Sequence, residues 1–145
     1  MTANLVISPS VRYRIMFYYR NPMSTSPAIL IVEDDPGVRR LLEVTLRKAG
    51  WQTLAAANGS EGLTAALGYD GPIPLAILDL VMPEVGGLDL ANQLAVDRPA
   101  TRILYISGGD NVAFDSILRR APEMLLQKPF SGRRLLATIQ RILAD

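Results

Sequence analysis

The sequence predicts an α/β fold built on a single doubly wound, parallel β-sheet with five strands and five helices. Short apolar runs typical of buried strands alternate along the chain with longer segments in which apolar residues recur at helical spacing. Parallel strands need crossover connections, and right-handed crossovers place helices on both faces of the sheet. With 145 residues, the chain has room for one such domain.

The first strand and the first helix carry the clearest local signals. Ala28–Val32 (AILIV) is an uninterrupted apolar run, as expected for a strand that is buried on both faces. Pro36, a residue favoured in the first turn, opens a helix that closes at Ala49-Gly50. Trp51–Ala56 is then predicted to be the second strand.

The middle of the chain repeats this alternation. A short helix is predicted over Glu61–Leu67, and Ile73–Leu78 (IPLAIL) is predicted to be the third strand. A loop that contains proline and two adjacent glycines leads into a helix from about Leu88 to Asp97.

The last third of the chain supplies two more strands, Arg102–Ile106 and Met124–Gln127, separated by a helix that ends at about Ala121. The final helix has its apolar side chains on one stripe, as an amphipathic helix packed on a sheet requires. That stripe consists of Leu135, Leu136, Ile139, Ile142 and Leu143.

Residues 1–27 differ in composition from the rest of the chain. They hold three arginines, no acidic residue and several closely spaced aromatic side chains, and without them the chain has 12 basic and 14 acidic residues. We predict a poorly ordered N-terminal extension, with Met23 as an alternative start, before a folded domain over residues 28–145. The alternative is a basic, aromatic arm that contacts a partner or a second copy of the chain.

The composition excludes several kinds of chemistry. The chain has no cysteine, which excludes disulfides, thiolate metal sites and a cysteine nucleophile, and it has no histidine. Its net charge of +1 gives no sign of a nucleic-acid partner, and no apolar run is long enough to cross a bilayer. We therefore expect a cytoplasmic protein without nucleic-acid or membrane partners.

Polar residues follow four of the predicted strands, at the point where each strand ends. They are Glu33, Asp34, Asp35, Asp79, Ser107 and Lys128. In an open parallel sheet, the carboxyl ends of the strands form the crevice in which ligands bind. Clustered carboxylates repel each other unless a cation lies between them, and their oxygen atoms suit Mg²⁺, with Mn²⁺ as a substitute.

This combination of groups suits the transfer of a phosphoryl group to a carboxylate. Asp79 would attack phosphorus to form an aspartyl-phosphate, while the metal ion and Lys128 offset the charge on the phosphoryl oxygens. Ser107 would donate a hydrogen bond to the bound phosphoryl group.

Each of these residues also has a plainer interpretation. Asp34 and Asp35 could simply cap the helix that Pro36 opens, and Asp79 could begin a turn. A serine followed by two glycines is a common loop sequence, and lysine side chains usually lie in solvent. The coincidence of all these groups at one edge of the sheet favours the functional interpretation.

Four segments resemble, in order and approximate spacing, the signatures of response regulator receiver domains. They are ILIVEDDPGVRRLL, LAILDLVMPEVGGLDL, ILYISGG and LLQKPF, and the resemblance spans Ala28 to the C-terminus. It implies a flavodoxin-like sheet with strand order 2-1-3-4-5 and a role in two-component signal transduction. It also implies a phosphoryl donor, which would be a sensor histidine kinase or a histidine phosphotransfer protein.

The resemblance assigns a role to each residue of the site. Asp79 matches the phosphorylated aspartate, Ser107 the switch hydroxyl and Lys128 the site lysine, whose bond to Pro129 is cis in relatives. Asp35 falls beside the matched acidic pair and is expected to be a cap or a neighbouring group. The implied metal ligands are Glu33, Asp34, Asp79 and the backbone carbonyl of Val81.

Two residues depart from the family pattern. Leu125 stands where relatives commonly carry an aromatic residue that reports the switch, so the surface of the active state is expected to differ. Pro122 replaces a turn that usually contains glycine. Tyr105 lies nearby in the sequence, and we assign it no role in the switch.

The resemblance implies a stand-alone receiver, a monomer or weak homodimer, whose phosphorylation switches a surface that binds an unknown downstream protein. It would be no enzyme on other substrates and would catalyse only its own phosphorylation and dephosphorylation. The alternatives are a degenerate receiver that binds its partner without phosphorylation and a receiver fragment of a larger regulator or hybrid kinase. A haloacid-dehalogenase-like phosphatase would need a second acid where Val81 stands.

Overall fold

The computed structural model describes residues 26–144, in which strands and helices alternate strictly. The strands are β1 (Ala28–Val32), β2 (Gln52–Ala56), β3 (Leu75–Asp79), β4 (Arg102–Ser107) and β5 (Leu125–Gln127). The helices are α1 (Pro36–Lys48), α2 (Gly59–Gly68), α3 (Gly87–Asp97), α4 (Val112–Arg120) and α5 (Gly132–Ala144). All but the last two residues of the predicted extension lie outside the described range, so its order stays a prediction.

The five strands form one parallel sheet in the order β2-β1-β3-β4-β5. This confirms the predicted doubly wound, flavodoxin-like fold with five helices. β1 and β3 are neighbours at the centre of the sheet, where Val32 pairs with Leu78. Because the strand order reverses at this point, the loops that follow β1 and β3 diverge and leave a crevice between them.

Two apolar layers flank the sheet, because successive side chains of a strand point to opposite faces. One layer combines β1 and β3 side chains with α1 and α5, and its members include Ile29, Ile31, Ile77, Leu42, Leu46, Leu135 and Ile139. The other layer lies under α2, α3 and α4, and its members include Leu30, Val32, Leu78, Ala66, Leu90, Leu94 and Phe114. The continuous apolar runs of the sequence therefore serve both layers at once.

The first residues of three strands differ from the prediction for local reasons. Trp51 donates its backbone N–H to Leu46 O over 2.9 Å, so it closes α1 and does not begin β2. β3 begins at Leu75 rather than Ile73, after Pro74, which has no N–H to give to the sheet. Residues 122–124 form a short 3₁₀ helix, which delays β5 to Leu125. None of the helices between residues 26 and 144 has the length and apolar character needed to cross a bilayer.

Candidate functional site

The carboxyl ends of β1, β3, β4 and β5 open into a polar cavity of about 400 Å³. All of the residues that the sequence predicted for the site lie in its wall, together with Asp35 and the loop of residues 108–111. The predicted residues that the fold brings together are Glu33, Asp34, Asp79, Val81, Ser107 and Lys128. β2 contributes no residue to this wall, as the strand order requires.

Three carboxylates converge where β1 and β3 lie side by side. One oxygen atom from each of Glu33, Asp34 and Asp79 lies within 4.8 Å of the other two. Glu33 and Asp79 are buried, whereas Asp34 is exposed. Such a cluster of hard oxygen donors, open to solvent on one side, fits a divalent cation such as Mg²⁺.

Glu33 is fully buried, and its two carboxylate oxygens have different surroundings. Oε2 accepts a hydrogen bond from Asp35 N over 3.0 Å. Oε1 lies 2.6 Å from Lys128 Nζ in an ion pair, but no donor among residues 26–144 reaches it in hydrogen-bond geometry. Burial, reinforced by Asp79 and opposed by Lys128, raises the pKa of Glu33 to about 7. A divalent cation in the acidic cluster would favour the ionised form of Glu33 further.

Asp79 presents its carboxylate to the same cavity from the end of β3. Oδ1 accepts from Val81 N over 3.2 Å, and Oδ2 lies 3.4 Å from Lys128 Nζ. Burial raises the pKa of Asp79, although Lys128 acts in the opposite direction. Burial alone would lower the pKa of Lys128, but the bond to Glu33 and the charge of Asp79 raise it overall, so the ammonium group stays protonated.

Lys128 is held in place by the strand that precedes it. Its backbone N–H donates to Ser107 O over 2.8 Å, which extends the pairing of β5 with β4 beyond the last strand residue. The peptide bond between Lys128 and Pro129 is cis, as the family resemblance implied. Because Lys128 directly follows β5, its side chain enters the cavity from the β5 side of the sheet.

Ser107 is buried at the end of β4 and lines the cavity on the side of the loop formed by residues 108–111. Its Oγ accepts hydrogen bonds from Asn111 Nδ2 over 3.0 Å and from Gly109 N over 3.3 Å. Asn111 also caps α4, because its Oδ1 accepts from Phe114 N over 2.7 Å. The sequence reasoning missed Asn111, although an asparagine directly before a helix is a recognisable cap signal.

Of the two neighbouring acids that could cap α1, Asp35 does so. Its Oδ1 accepts from Gly37 N over 2.8 Å and from Val38 N over 3.1 Å. Asp34 instead contributes its carboxylate to the acidic cluster. The cap interpretation is therefore confirmed for Asp35, whereas Asp34 lies in the acidic cluster and its role as a metal ligand stays a prediction.

A glycine that the sequence did not single out lies against the end of β3. At Gly87, the first residue of α3, a Cβ atom would lie 2.5 Å from Asp79 O and 3.2 Å from Leu80 Cα. Only a residue without a side chain allows α3 to start this close to the backbone of β3. The paired glycines before the helix were the available signal.

The two departures from the family pattern lie next to each other in the fold. Leu125 pairs with Tyr105 across β4 and β5, and both side chains pack in the apolar layer under α4. Tyr105 is buried, and burial raises its pKa. Pro122 begins the 3₁₀ helix before β5. The position three residues before Lys128, which is commonly aromatic in relatives, is thus filled by the half-buried aliphatic side chain of Leu125.

Comparison with known proteins decides the family. The model of the response regulator receiver domain matches residues 29–140. The chain belongs to this family. It is therefore a receiver domain of two-component signal transduction, in which histidine kinases are the source of the phosphoryl group.

Individual relatives of this receiver domain differ in length. It is 35% identical over 117 residues to the response regulator receiver protein CpdR of Brucella abortus, covering 79% of this chain and 95% of CpdR. It is 34% identical over 128 residues to a probable transcriptional regulatory protein of Picosynechococcus sp., where the match covers 83% of this chain but only 51% of the relative. The chain thus spans nearly all of one relative and about half of the other.

Solved structures agree with the fold. A CheY-like receiver domain from Methanospirillum hungatei superposes with a TM-score of 0.70 at 24% identity, covering 82% of this chain and 94% of that one. At this identity the likeness concerns the fold alone.

Proposed function

We propose that this receiver domain accepts a phosphoryl group on Asp79 in a Mg²⁺-dependent reaction and thereby switches a surface that binds a downstream protein. The observation that carries the proposal is the convergence of two buried carboxylates on one ammonium group. Lys128 Nζ lies 2.6 Å from Glu33 Oε1 and 3.4 Å from Asp79 Oδ2, with the exposed carboxylate of Asp34 beside them. A negatively charged phosphoryl group needs this combination of a carboxylate acceptor, a fixed cation and metal ligands.

The phosphoryl donor must lie outside these 145 residues. The chain has no histidine, so a phosphohistidine has to be presented by a sensor histidine kinase or a histidine phosphotransfer protein. A carboxylate oxygen of Asp79 would form the new bond to phosphorus as the bond from phosphorus to the imidazole nitrogen breaks. Lys128 would then exchange part of its ion pairing with the carboxylates for contacts with the phosphoryl oxygens.

The acidic cluster is the proposed holder of the metal ion. Glu33, Asp34 and Asp79 would supply carboxylate oxygens and Val81 its backbone carbonyl, with Mn²⁺ able to replace Mg²⁺. When bound, the ion neutralises charge on the carboxylates and on the phosphoryl oxygens. The burial of Glu33 and Asp79 supports this assignment, because two buried carboxylates beside one ammonium group leave an excess of negative charge that a divalent cation would neutralise.

We further propose that the domain has no separate substrate and catalyses only its own phosphorylation and dephosphorylation. Val81 occupies the position, two residues after the nucleophile, where a phosphatase of the haloacid dehalogenase type needs an acid. The donor, the downstream protein and the expected state of a monomer or weak homodimer belong to this proposal as well.

Phosphorylation from a small donor tests the proposal. The purified chain is incubated with acetyl phosphate, with Mg²⁺ or with excess chelator, and its intact mass is measured. One phosphoryl adduct is expected with Mg²⁺ and none with chelator, and Asp79→Asn should remove it. Asp89→Asn is the matched control, since Asp89 is exposed on α3 outside the cavity wall. Uptake by Asp79→Asn at the level of the unchanged protein would rule out the assignment, and a degenerate receiver would take up nothing.

A further inference from the structure

One side-chain amide joins three parts of the molecule beside the proposed phosphoacceptor. Asn111 Nδ2 donates to Ser107 Oγ and to Gly109 O, each over 3.0 Å. Its Oδ1 accepts from Phe114 N in the first turn of α4 over 2.7 Å. Both amide hydrogens and the oxygen of Asn111 are thus used, and they link the end of β4, the loop and the start of α4.

A helix cap alone does not need this arrangement. Asn58 caps α2 in the same way, with its Oδ1 2.9 Å from Glu61 N, but it follows β2, which contributes nothing to the cavity wall. Capping uses only the side-chain oxygen. The two bonds that Asn111 donates from Nδ2 are additional, and one of them ends on the hydroxyl of Ser107.

The backbone between Ser107 and Asn111 is shaped to make these bonds. Gly109 has φ = 92° and Asp110 has φ = 60°, so two consecutive residues are left-handed. A non-glycine residue pays for this conformation, although aspartate tolerates it better than most. The turn brings Gly109 N to 3.3 Å from Ser107 Oγ and folds the amide of Asn111 back onto the same oxygen.

We propose that Asn111 is a positioning residue that couples the Ser107 hydroxyl to the first turn of α4, an inference that rests on the proposed function of Asp79. Gly109 N and Asn111 Nδ2 occupy the acceptor side of Ser107 Oγ, which holds the side chain on the loop side of the cavity. If Ser107 moves toward a phosphorylated Asp79, the bond from Asn111 has to stretch or break. Because the same side-chain amide caps α4, movement of Ser107 would change the hydrogen bonding of the first turn of that helix.

The coupling can be tested on the unmodified protein by a double-mutant cycle. Asn111→Ser retains a capping oxygen but removes the amide donor, and Ser107→Ala removes the acceptor. We expect the two substitutions to be coupled about fivefold in the equilibrium constant for urea unfolding. Asn58→Ser is the matched control for capping and should show no coupling to Ser107→Ala. Simple additivity of Asn111→Ser and Ser107→Ala would overturn the proposed link.

The effect of Asn111 on the response to phosphorylation can be measured with a phosphoryl mimic. Beryllofluoride, a non-covalent mimic of a phosphoryl group on a carboxylate, is titrated at saturating Mg²⁺ and its affinity is compared among the variants. Asn111→Ser should raise the affinity about fivefold, because the bond that restrains Ser107 is gone, and should have no effect in the Ser107→Ala background. A reduced or unchanged affinity, or an equal effect in both backgrounds, overturns the inference. Failure of the unchanged protein to bind beryllofluoride counts against the proposed function, and the unfolding cycle still decides the link.

Discussion

The two halves of the cavity are held together by different forces. The acidic half, formed by Glu33, Asp34 and Asp79, contains two buried carboxylates that share the ammonium group of Lys128. The hydroxyl half, formed by Ser107 and residues 108–111, is held by hydrogen bonds between neutral side chains and the backbone. The stability of the acidic half therefore depends on charge, whereas that of the hydroxyl half depends on the geometry of its hydrogen bonds.

This difference has consequences for how each half can be perturbed. A buried charge that loses its partner costs several kcal/mol, whereas a neutral hydrogen bond contributes about 1 kcal/mol net. Changes in the acidic half should be large and should depend on pH and on divalent cations. Changes in the hydroxyl half should be smaller and should be insensitive to both. The substitutions below measure the two halves separately.

Removal of the shared cation should have the largest effect. We expect Lys128→Met to lower the free energy of unfolding by about 3 kcal/mol at pH 8 without divalent cations, because Glu33 and Asp79 are left buried without their ion-pair partner. At pH 5.5 the loss should be smaller, since the pKa of Glu33 is about 7 and its carboxyl is then protonated. Urea unfolding at both pH values measures this, with the exposed Lys48→Met as control. Equal losses at the two pH values would contradict the role assigned to charge.

A change of shape in the helix that packs against the acidic half should come next. Gly87→Ala is expected to cost about 2 kcal/mol, because the new Cβ would lie 2.5 Å from Asp79 O and the backbone of β3 cannot yield without moving Asp79. Mg²⁺ affinity, measured by calorimetry, should fall with it. Gly68→Ala is the matched control, since a Cβ there meets no atom within 4 Å. A stable Gly87→Ala protein with unchanged Mg²⁺ affinity would show that the close approach is unimportant.

The titration of Glu33 should give a smaller, pH-dependent effect. Its pKa is raised from 4.5 to about 7 in the fold, so between these values the folded state binds more protons than the unfolded state. Stability of the metal-free protein contributed by this group is therefore present at low pH and is lost as the pH rises, by about 1–2 kcal/mol over the interval from about pH 5.5 to pH 7.

Comparison with Glu33→Gln isolates this group from the other carboxylates, which titrate in both proteins. Relative to the variant, the unchanged protein should lose stability between pH 4.5 and 7, and saturating Mg²⁺ should reduce the loss. Parallel stability curves for the two proteins would show that Glu33 ionises normally in the fold.

The three consecutive acids after β1 show how far the sequence leads and where it stops. The sequence predicts that this acidic run lies at the sheet edge, because an apolar strand ends there. It does not say which acid is buried. Glu33 is still paired with β2 through its backbone, with its N–H 3.1 Å from Ala56 O, whereas Asp35 has left the sheet and caps α1. That division depends on the register of two strands, which local patterns do not encode.

The fold was easier to predict from the sequence than the details of the site. Each strand is an apolar run and each helix has an apolar stripe, so the alternation can be counted directly, while the strand order came from the family resemblance. The bonds of Asn111 follow from left-handed backbone at Gly109 and Asp110, and the need for glycine at Gly87 follows from how closely α3 approaches β3. Both features depend on the backbone conformation and on the close approach of two segments, which exist only once the chain is folded.

The smallest expected effect lies in the hydroxyl half and completes the comparison. Gly109→Ala should lower the free energy of unfolding by about 1 kcal/mol, because its φ of 92° disfavours a side chain and a Cβ would lie 3.1 Å from Gln127 Nε2. Gly108→Ala, where a Cβ meets no atom within 4 Å, is the control. Since no charge is involved, the loss should be the same at pH 5.5 and pH 8 and with or without Mg²⁺. A loss at Gly109→Ala that followed pH as the Lys128→Met loss does would mean that the two halves respond as one unit.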